Sequence, residues 1–259
     1  MRIATWNVNS LQARLPRVEE WLEYAQPDVL CLQETKLADK AFPALAFSAL
    51  GYESVHHGYN QWNGVAILSR VGIEDPGNGF GEGVVDPYAD DARMLAATCG
   101  GIRIVSVYVP NGREVPSEFY DRKLEWFERL AEWVDGTFTP KDPLVIMGDF
   151  NVAPEDRDVW SMKAFAGATH VTEPERAAVR RLEEWGLVDA FRKVYDQDRL
   201  YSYWDYRGGD FHQGRGMRID LVLASPPVAD RVTWALVDRN ARKGKQPSDH
   251  APVLIDLSD

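Results

Sequence analysis

Asp149 and Asn151 stand two residues apart, behind Gly148, at the end of the apolar run Val145-Ile146-Met147. A run this apolar and β-branched reads as a buried strand. Period-2 alternation predicts that both polar side chains leave the same side of an extended backbone. A carboxylate able to exchange a proton and a neutral carboxamide able to hydrogen-bond would then emerge together from a core strand. That pairing suits a reaction centre better than a solvated surface.

Other strand-like segments end or begin in the same way. Ile3-Ala4-Thr5-Trp6 leads into Asn7 and Asn9, and Val29-Leu30-Cys31-Leu32-Gln33 leads into Glu34. Residues 216–223 read as an apolar strand carrying Asp220, and Ser248-Asp249-His250 precedes the apolar residues 251–255. Asp and Asn are ordinary turn and cap residues, so any single instance says little. Five such ends offering Asn, Glu, Asp and His are hard to explain as caps. Oxygen donors of this kind suit Mg²⁺ or Mn²⁺. Zinc is disfavoured, because His56, His57, His170 and His212 show no His/Cys spacing for it.

The elements that must position these residues alternate between strand and helix, which predicts an α/β fold. Residues 15–24 have helical spacing, with Pro16 placed in the first turn. Residues 64–69 and 95–109 read as strands, the latter folded into a hairpin at Gly100-Gly101. Pro116-Ser117-Glu118 opens one helix, and Pro174-Glu175 opens another that Gly186 ends. Residues 72–91, with Gly77, Gly79, Gly81 and Gly83, read as a long surface loop. No linker or repeat divides the 259 residues, so a single domain is expected. Cys31 and Cys99 lie in apolar runs and predict buried free thiols. No run approaches the ~20 apolar residues of a membrane span. The chain enters a strand at once, leaving no room for a signal peptide, and a cytoplasmic location follows. The net charge of −11 sits awkwardly with nucleic-acid binding. A binding face would have to gather Arg176, Arg180 and Arg181, or Arg207, Arg215 and Arg218, or Arg239, Arg242, Lys243 and Lys245.

Six motifs occur in order: Thr5-Trp6-Asn7-Val8-Asn9, Leu32-Gln33-Glu34-Thr35-Lys36, Tyr108-Val109-Pro110-Asn111-Gly112, Gly148-Asp149-Phe150-Asn151, Arg218-Ile219-Asp220 and Ser248-Asp249-His250. With the aromatic run 201–206 they resemble the exonuclease III family of AP endonucleases and exodeoxyribonucleases, within the endonuclease/exonuclease/phosphatase superfamily. The resemblance implies a four-layer α/β sandwich of two mixed β-sheets flanked by helices, like deoxyribonuclease I. It implies Mg²⁺, replaceable by Mn²⁺, held chiefly by Glu34 with Asn7, Asp149, Asn151 and Asp249 around it. Asp149 would act as general acid or base, Asn151 would hold nucleophile and phosphate, and His250 would contact the scissile phosphate with Asp220 fixing its tautomer. Tyr108 would serve a phosphate oxygen, and Asn9, Asn111 and Arg218 would contact substrate. Tyr203, Trp204, Met217 and Ile219 would wall a pocket for a flipped deoxyribose. His170 stands where similar enzymes carry a small residue beside that pocket, so an imidazole would narrow it.

The implied activity is cleavage 5′ to abasic sites and trimming of DNA 3′ ends in base-excision repair. The substrate would be double-stranded DNA with abasic sites or blocked or recessed 3′ ends, met by a monomer without a membrane partner. A 3′-end exonuclease or phosphatase with little abasic-site activity is the alternative that His170 motivates. A phosphatase or lipase of the same superfamily fits the Tyr-x-Pro-Asn-Gly and Arg-Ile-Asp motifs poorly. A catalytically silent DNA-binding module is disfavoured because each expected position holds a competent side chain.

Overall fold

The computed structural model describes residues 1–81 and 84–259. The first sheet is built from β1 (Arg2–Asn7), β2 (Val29–Gln33), β3 (Glu53–His57) and β4 (Val65–Ser69). The second uses β5 (Glu74–Asn78), β6 (Met94–Cys99), β7 (Ile102–Tyr108), β8 (Leu144–Asp149), β9 (Val188–Asp189) and β10 (Asp220–Ala224). The chain then returns to the first sheet with β11 (Val232–Val237) and β12 (Val253–Leu257). The strand orders are β11-β12-β1-β2-β4-β3 and β5-β6-β7-β8-β10-β9. In each sheet the central pair is parallel, β1 with β2 and β7 with β8, and the other pairs are antiparallel. A parallel pair needs a crossover. Helix α1 (Leu11–Ala25) provides it in the first sheet, and α2 (Ala44–Ala49) follows on the same side. Helix α3 (Glu118–Thr137) provides it in the second sheet, where α4 (Glu173–Trp185) packs beside it.

Strand alternation sorts the apolar side chains into three interlayer cores. Ile3, Val29, Cys31 and Ile67 face Ile104, Val145, Met147 and Val222 between the sheets. Ala4, Trp6, Leu30 and Leu32 face outward onto Val18, Trp21 and Leu22 of α1. Val105, Ile146, Leu221 and Leu223 face Trp126, Phe127, Leu130 and Leu182 of α3 and α4. These are the four layers implied by the resemblance. Cys31 and Cys99 are free and buried between the sheets. Among the described residues no helix is long and apolar enough to cross a membrane.

Local boundaries differ from expectation in three places. Helix α1 begins at Leu11, so Pro16 lies within it rather than in its first turn. The helix runs through the missing N–H because the buried face Leu11, Val18, Trp21, Leu22 and Ala25 anchors it on both sides. The expected loop 72–91 contains β5, where Glu74, Gly77 and Asn78 pair with β6 despite glycine and proline, as edge strands permit. Gly83 lies outside the described residues. The strand expected from residue 216 starts only at Asp220; Met217 makes isolated bridges to Val159 and Tyr203.

Candidate active site

The parallel pairs end at one rim of the sandwich, and strand register aligns the polar residues there. On the second sheet Asp149 sits between Tyr108 on one side and Asp220 on the other. Gly148 makes this possible: it has φ +150°, and a Cβ there would lie 1.9 Å from the Val107 carbonyl oxygen. On the first sheet β1 ends in Asn7, and Glu34 follows β2. The Asn7 amide joins the sheets, donating through Nδ2 to Glu34 Oε1 at 2.8 Å and to Asp149 Oδ2 at 2.9 Å. A buried chain from Thr5 Oγ1 to Gln33 and on to Ser106 Oγ, each step 3.1 Å, ties the sheets just beneath.

His250 completes the row. Its Nδ1 lies 2.8 Å from Asp220 Oδ2, which also accepts from Ser202 Oγ at 2.6 Å. Its Nε2 lies 3.8 Å from Asp149 Oδ2. Burial works against a charged imidazole here, but Asp220 and Asp149 outweigh it and push the His250 pKa up to about 10. Nε2 is therefore a donor at neutral pH. Burial, with Asp220 and Glu34 nearby, pushes the Asp149 carboxyl up to about 7, although His250 pulls the other way. Burial opposes ionisation of Glu34 too, but Lys36 and Asn7 bring it below the usual carboxylate range. Lys36 Nζ is 2.9 Å from Glu34 Oε2. Burial beside the Glu34 carboxylate holds the Tyr108 phenol protonated well above its usual value.

The expected alternation of Asp149 and Asn151 is corrected by the structure. Asn151 adopts φ +50°, and its N–H turns back to Asp149 Oδ1 at 2.9 Å, so the carboxylate closes a turn instead of running on as a strand. Asn9 repeats the device with φ +44° and an N–H to Asn7 Oδ1 at 2.9 Å. Glu34, Lys36 and His170 also have positive φ, at 51°, 54° and 81°, which side chains of their kind rarely adopt. Five residues at or beside the rim thus have left-handed backbone.

Glu34, Asp149 and His250 bring ligand atoms within 4.8 Å of one another. A hard cation prefers oxygen, and His250 is occupied as a donor, so Glu34 and Asp149 are the fitting ligands. The other expected ligands stand differently. Asn7 turns its nitrogen toward both carboxylates, Asn151 Oδ1 accepts from Asn111 Nδ2 at 3.0 Å, and Asp249 Oδ1 accepts from Asn9 Nδ2 at 3.1 Å. Asp249 is not part of the cluster of Glu34, Asp149 and His250.

Beside the row lies a cavity of about 410 Å³ lined by Tyr203, Met217, His170, Asn111, Trp160 and Phe165, with Arg113, Arg207 and Arg215 at its margin. Tyr203 and Met217, named as pocket walls by the resemblance, both line this cavity. Ile219 does not line it; it is buried beneath Met217 and Val159. Trp204 packs away from it, against Tyr201, Ala251 and Phe211. Arg218 is also corrected: its guanidinium is buried, 2.7 Å from both Asp158 Oδ1 and Asp189 Oδ2, a fork matched to two carboxylates and withdrawn from substrate. Several candidate basic groups are similarly neutralised, Arg176 by Asp156, Arg180 by Glu173, Arg207 by Asp205 and Arg215 by Asp210.

Sequence reasoning missed two supports. Arg93 lies 4.9 Å from the ring centroids of both Tyr108 and Tyr88 and borders a larger cleft of about 670 Å³ with Trp62, Arg113 and Phe119. The buried pair Lys123–Glu175 clamps the loops: Lys123 Nζ donates to Asn151 O at 2.7 Å, and Glu175 Oε1 accepts from His170 N at 2.9 Å. Thr172 and Glu175 form a capping box whose spacing was visible in the sequence. Lys123 carried no such signal.

The shifted groups make a stability prediction. Ionising Asp149 costs stability as pH rises from its ordinary 3.8 through about 7. The contribution of charged His250 is full below its ordinary 6.5 and is lost toward about 10. Both slopes have the same sign, but the lowered pKa values of buried His170, His56 and His57 oppose them below the ordinary histidine value of 6.5. In chelator the melting temperature should therefore fall from about pH 6.5 to about pH 9. Mg²⁺ should raise it more at the alkaline end. A flat or rising profile in chelator would refute this arrangement of charges.

Comparison with known proteins agrees with the geometry. Residues 4–250 match the Endonuclease/Exonuclease/phosphatase family. The exodeoxyribonuclease III of Haemophilus influenzae is 32% identical over 99% of this chain and 100% of its own length. An AP endonuclease from Archaeoglobus fulgidus superposes with a TM-score of 0.96 at 38% identity, covering 100% of both chains. The 3′ phosphatase NExo from Neisseria, solved bound to product DNA hairpin, gives 0.95 at 38%, also covering 100% of both.

Proposed function

The chain belongs to the endonuclease/exonuclease/phosphatase family, and from that premise we propose that it is a DNA repair nuclease. In this reading it uses Mg²⁺, with Mn²⁺ able to substitute, to hydrolyse phosphodiesters 5′ to abasic sites and to trim DNA 3′ ends in base-excision repair. It works as a single-domain monomer in the cytoplasm. The observation that carries the reading is the buried row Glu34, Asn7, Asp149, His250 and Asp220 spanning both sheets.

Each residue has a task in that reaction. His250 presents the Nε2 proton to a phosphate oxygen while Asp220 and Ser202 fix its Nδ1. Asp149, with its pKa raised toward neutrality, exchanges the proton of the attacking water or the departing oxygen. Asn7 and Asn151 hold Asp149 from two sides. Tyr108 stays protonated and can donate. Bound at Glu34 and Asp149, Mg²⁺ would supply Lewis-acid neutralisation of phosphoryl charge. The net charge of −11 and the paired arginines predict modest affinity. The test is incision of matched abasic, 3′-phosphate and recessed duplexes with Mg²⁺ and with chelator. Intact substrate under both conditions refutes the reading.

A second reading, a 3′-end enzyme with little abasic-site activity, is favoured by His170. Its imidazole lies in the cavity wall, 3.5 Å from Asn111 Nδ2, and burial beside Lys123 lowers its pKa to about 3, so it is neutral. A ring there occupies space that a flipped sugar needs and a terminal 3′-phosphate does not. His170→Gly relieves the φ of +81° and opens the cavity. It should raise the ratio of abasic-site incision to 3′-phosphate removal at least ~10-fold, the scale of one lost steric contact. Both rates are to be measured on one duplex scaffold at one salt concentration. An unchanged ratio leaves His170 as packing and returns the plain abasic endonuclease reading.

A further inference from the structure

Arg218 and Arg242 are both buried, yet their surroundings are opposite. Arg218 is neutralised by two carboxylates. Arg242 has no carboxylate partner among the described residues. Its guanidinium lies among aromatic rings instead, 5.0 Å from the centroid of Phe211, 5.5 Å from Tyr206 and 6.0 Å from Trp204. Burial draws its pKa down, against the pull of Tyr206 and Asp249. A buried cation is costly unless something offsets it, and aromatic faces offset only part.

What Arg242 does with its hydrogens explains the placement. Its Nη1 donates to the carbonyl of Ser248. The next two carbonyls are also held, Asp249 O by the Trp204 N–H at 2.9 Å and His250 O by Trp6 Nε1 at 3.1 Å. Three consecutive carbonyls are thus fixed from three different segments. Ser248 is the junction, because its Oγ donates to Asn7 O at 2.7 Å and accepts from the His250 N–H at 3.2 Å. A shift of Ser248 would move the residue that bridges Glu34 to Asp149 and the residue that faces Asp149.

We infer that Arg242 is a positioning residue for the reaction centre: its guanidinium, caged by Trp204, Tyr206 and Phe211, pins Ser248 and so sets His250 and Asn7 against Asp149. The inference rests on the nuclease reading above. It acts on geometry and not on substrate contact, so its effect belongs in kcat and not in KM.

Arg242→Met keeps an unbranched side chain among the rings but deletes the donors and the charge. Single-turnover and steady-state kinetics on an abasic and a 3′-phosphate duplex should show kcat reduced ~10²-fold with KM within about twofold. That is the scale of a misplacement of about 1 Å. Arg242→Ala, assayed with added guanidinium ion below denaturing concentrations, should regain at least ~10-fold of its lost kcat; a general packing defect would not be repaired this way. If the Met variant does not fold, Arg242→Gln, which keeps one donor, carries the same comparison. A folded variant with kcat within about threefold of wild type overturns the inference, as does a loss confined to KM or a loss that guanidinium leaves untouched. Wild-type enzyme that cleaves neither duplex with Mg²⁺ overturns the nuclease reading itself, which separates the two failures.

Discussion

Asp149→Asn is expected to lower turnover at least ~10²-fold on every DNA substrate, the usual scale of general acid–base catalysis. The amide matches the carboxylate in shape, and its oxygen can still accept from Asn151 N–H at the Oδ1 position, while its NH2 then loses the bond that Oδ2 accepted from Asn7 Nδ2 at 2.9 Å. What disappears is a proton acceptor held near neutrality by burial and by Asp220 and Glu34. Binding of DNA should remain, so KM should move much less than kcat. His250→Asn should be comparably damaging, since it deletes the cationic donor opposite Asp149. Single-turnover rates on abasic and 3′-phosphate duplexes decide the matter. Near-normal turnover by either variant would remove that residue from the chemistry.

Glu34→Gln should be nearly as severe, and its loss should depend on the cation. Several kcal/mol of transition-state charge stabilisation are at stake when a catalytic metal is displaced, and each ~1.4 kcal/mol is a tenfold change in rate. A fall of ~10²–10³-fold is therefore expected at low Mg²⁺, with partial recovery as Mg²⁺ rises. The fold should be unaffected, because the Asn7 amide can still reach the retained oxygen and Glu34 lies at the rim rather than in a core. Wild-type-like rates at low Mg²⁺ would exclude Glu34 as the principal ligand.

The strands and the candidate row were legible because both rest on local signals. Near-continuous apolar runs pointed to β1, β2, β4, β6, β7 and β8, and the motifs marked where several of them end. The sandwich itself came from the resemblance, since alternation says which face is buried and not which sheet covers it. Asp149 and Asn151 were paired correctly for the wrong reason: a left-handed turn, not a continuing strand, brings them together. Arg218, Trp204 and Ile219 were misplaced because a motif gives position along the chain without side-chain direction. Arg218 turns inward to Asp158 and Asp189, which are 60 and 29 residues distant in sequence. Lys123 was invisible for a related reason. A lysine on a helix reads as solvated, and only the fold brings Glu175 to neutralise it.

The strand orders carry a consequence for how the molecule is made. Read from edge to edge, both sheets follow one plan: two antiparallel strands, a parallel pair joined through a helix, then two antiparallel strands. The second sheet takes its six strands consecutively from residues 74–224. The first takes four strands from the beginning of the chain and the remaining two from residues 232–257. The halves therefore share one strand plan, with its chain order circularly permuted in the first sheet. During synthesis the second half can finish its sheet while the first still exposes the bare hydrogen-bonding edge of β1. That edge closes only when Ile3 meets Ile255 and Thr5 meets Val253. The same late segment delivers His250 to its place beside Asp149. A nascent chain lacking it would be open to edge-to-edge aggregation and would lack His250, so the proposed reaction centre and the protected edge are completed in one closing step.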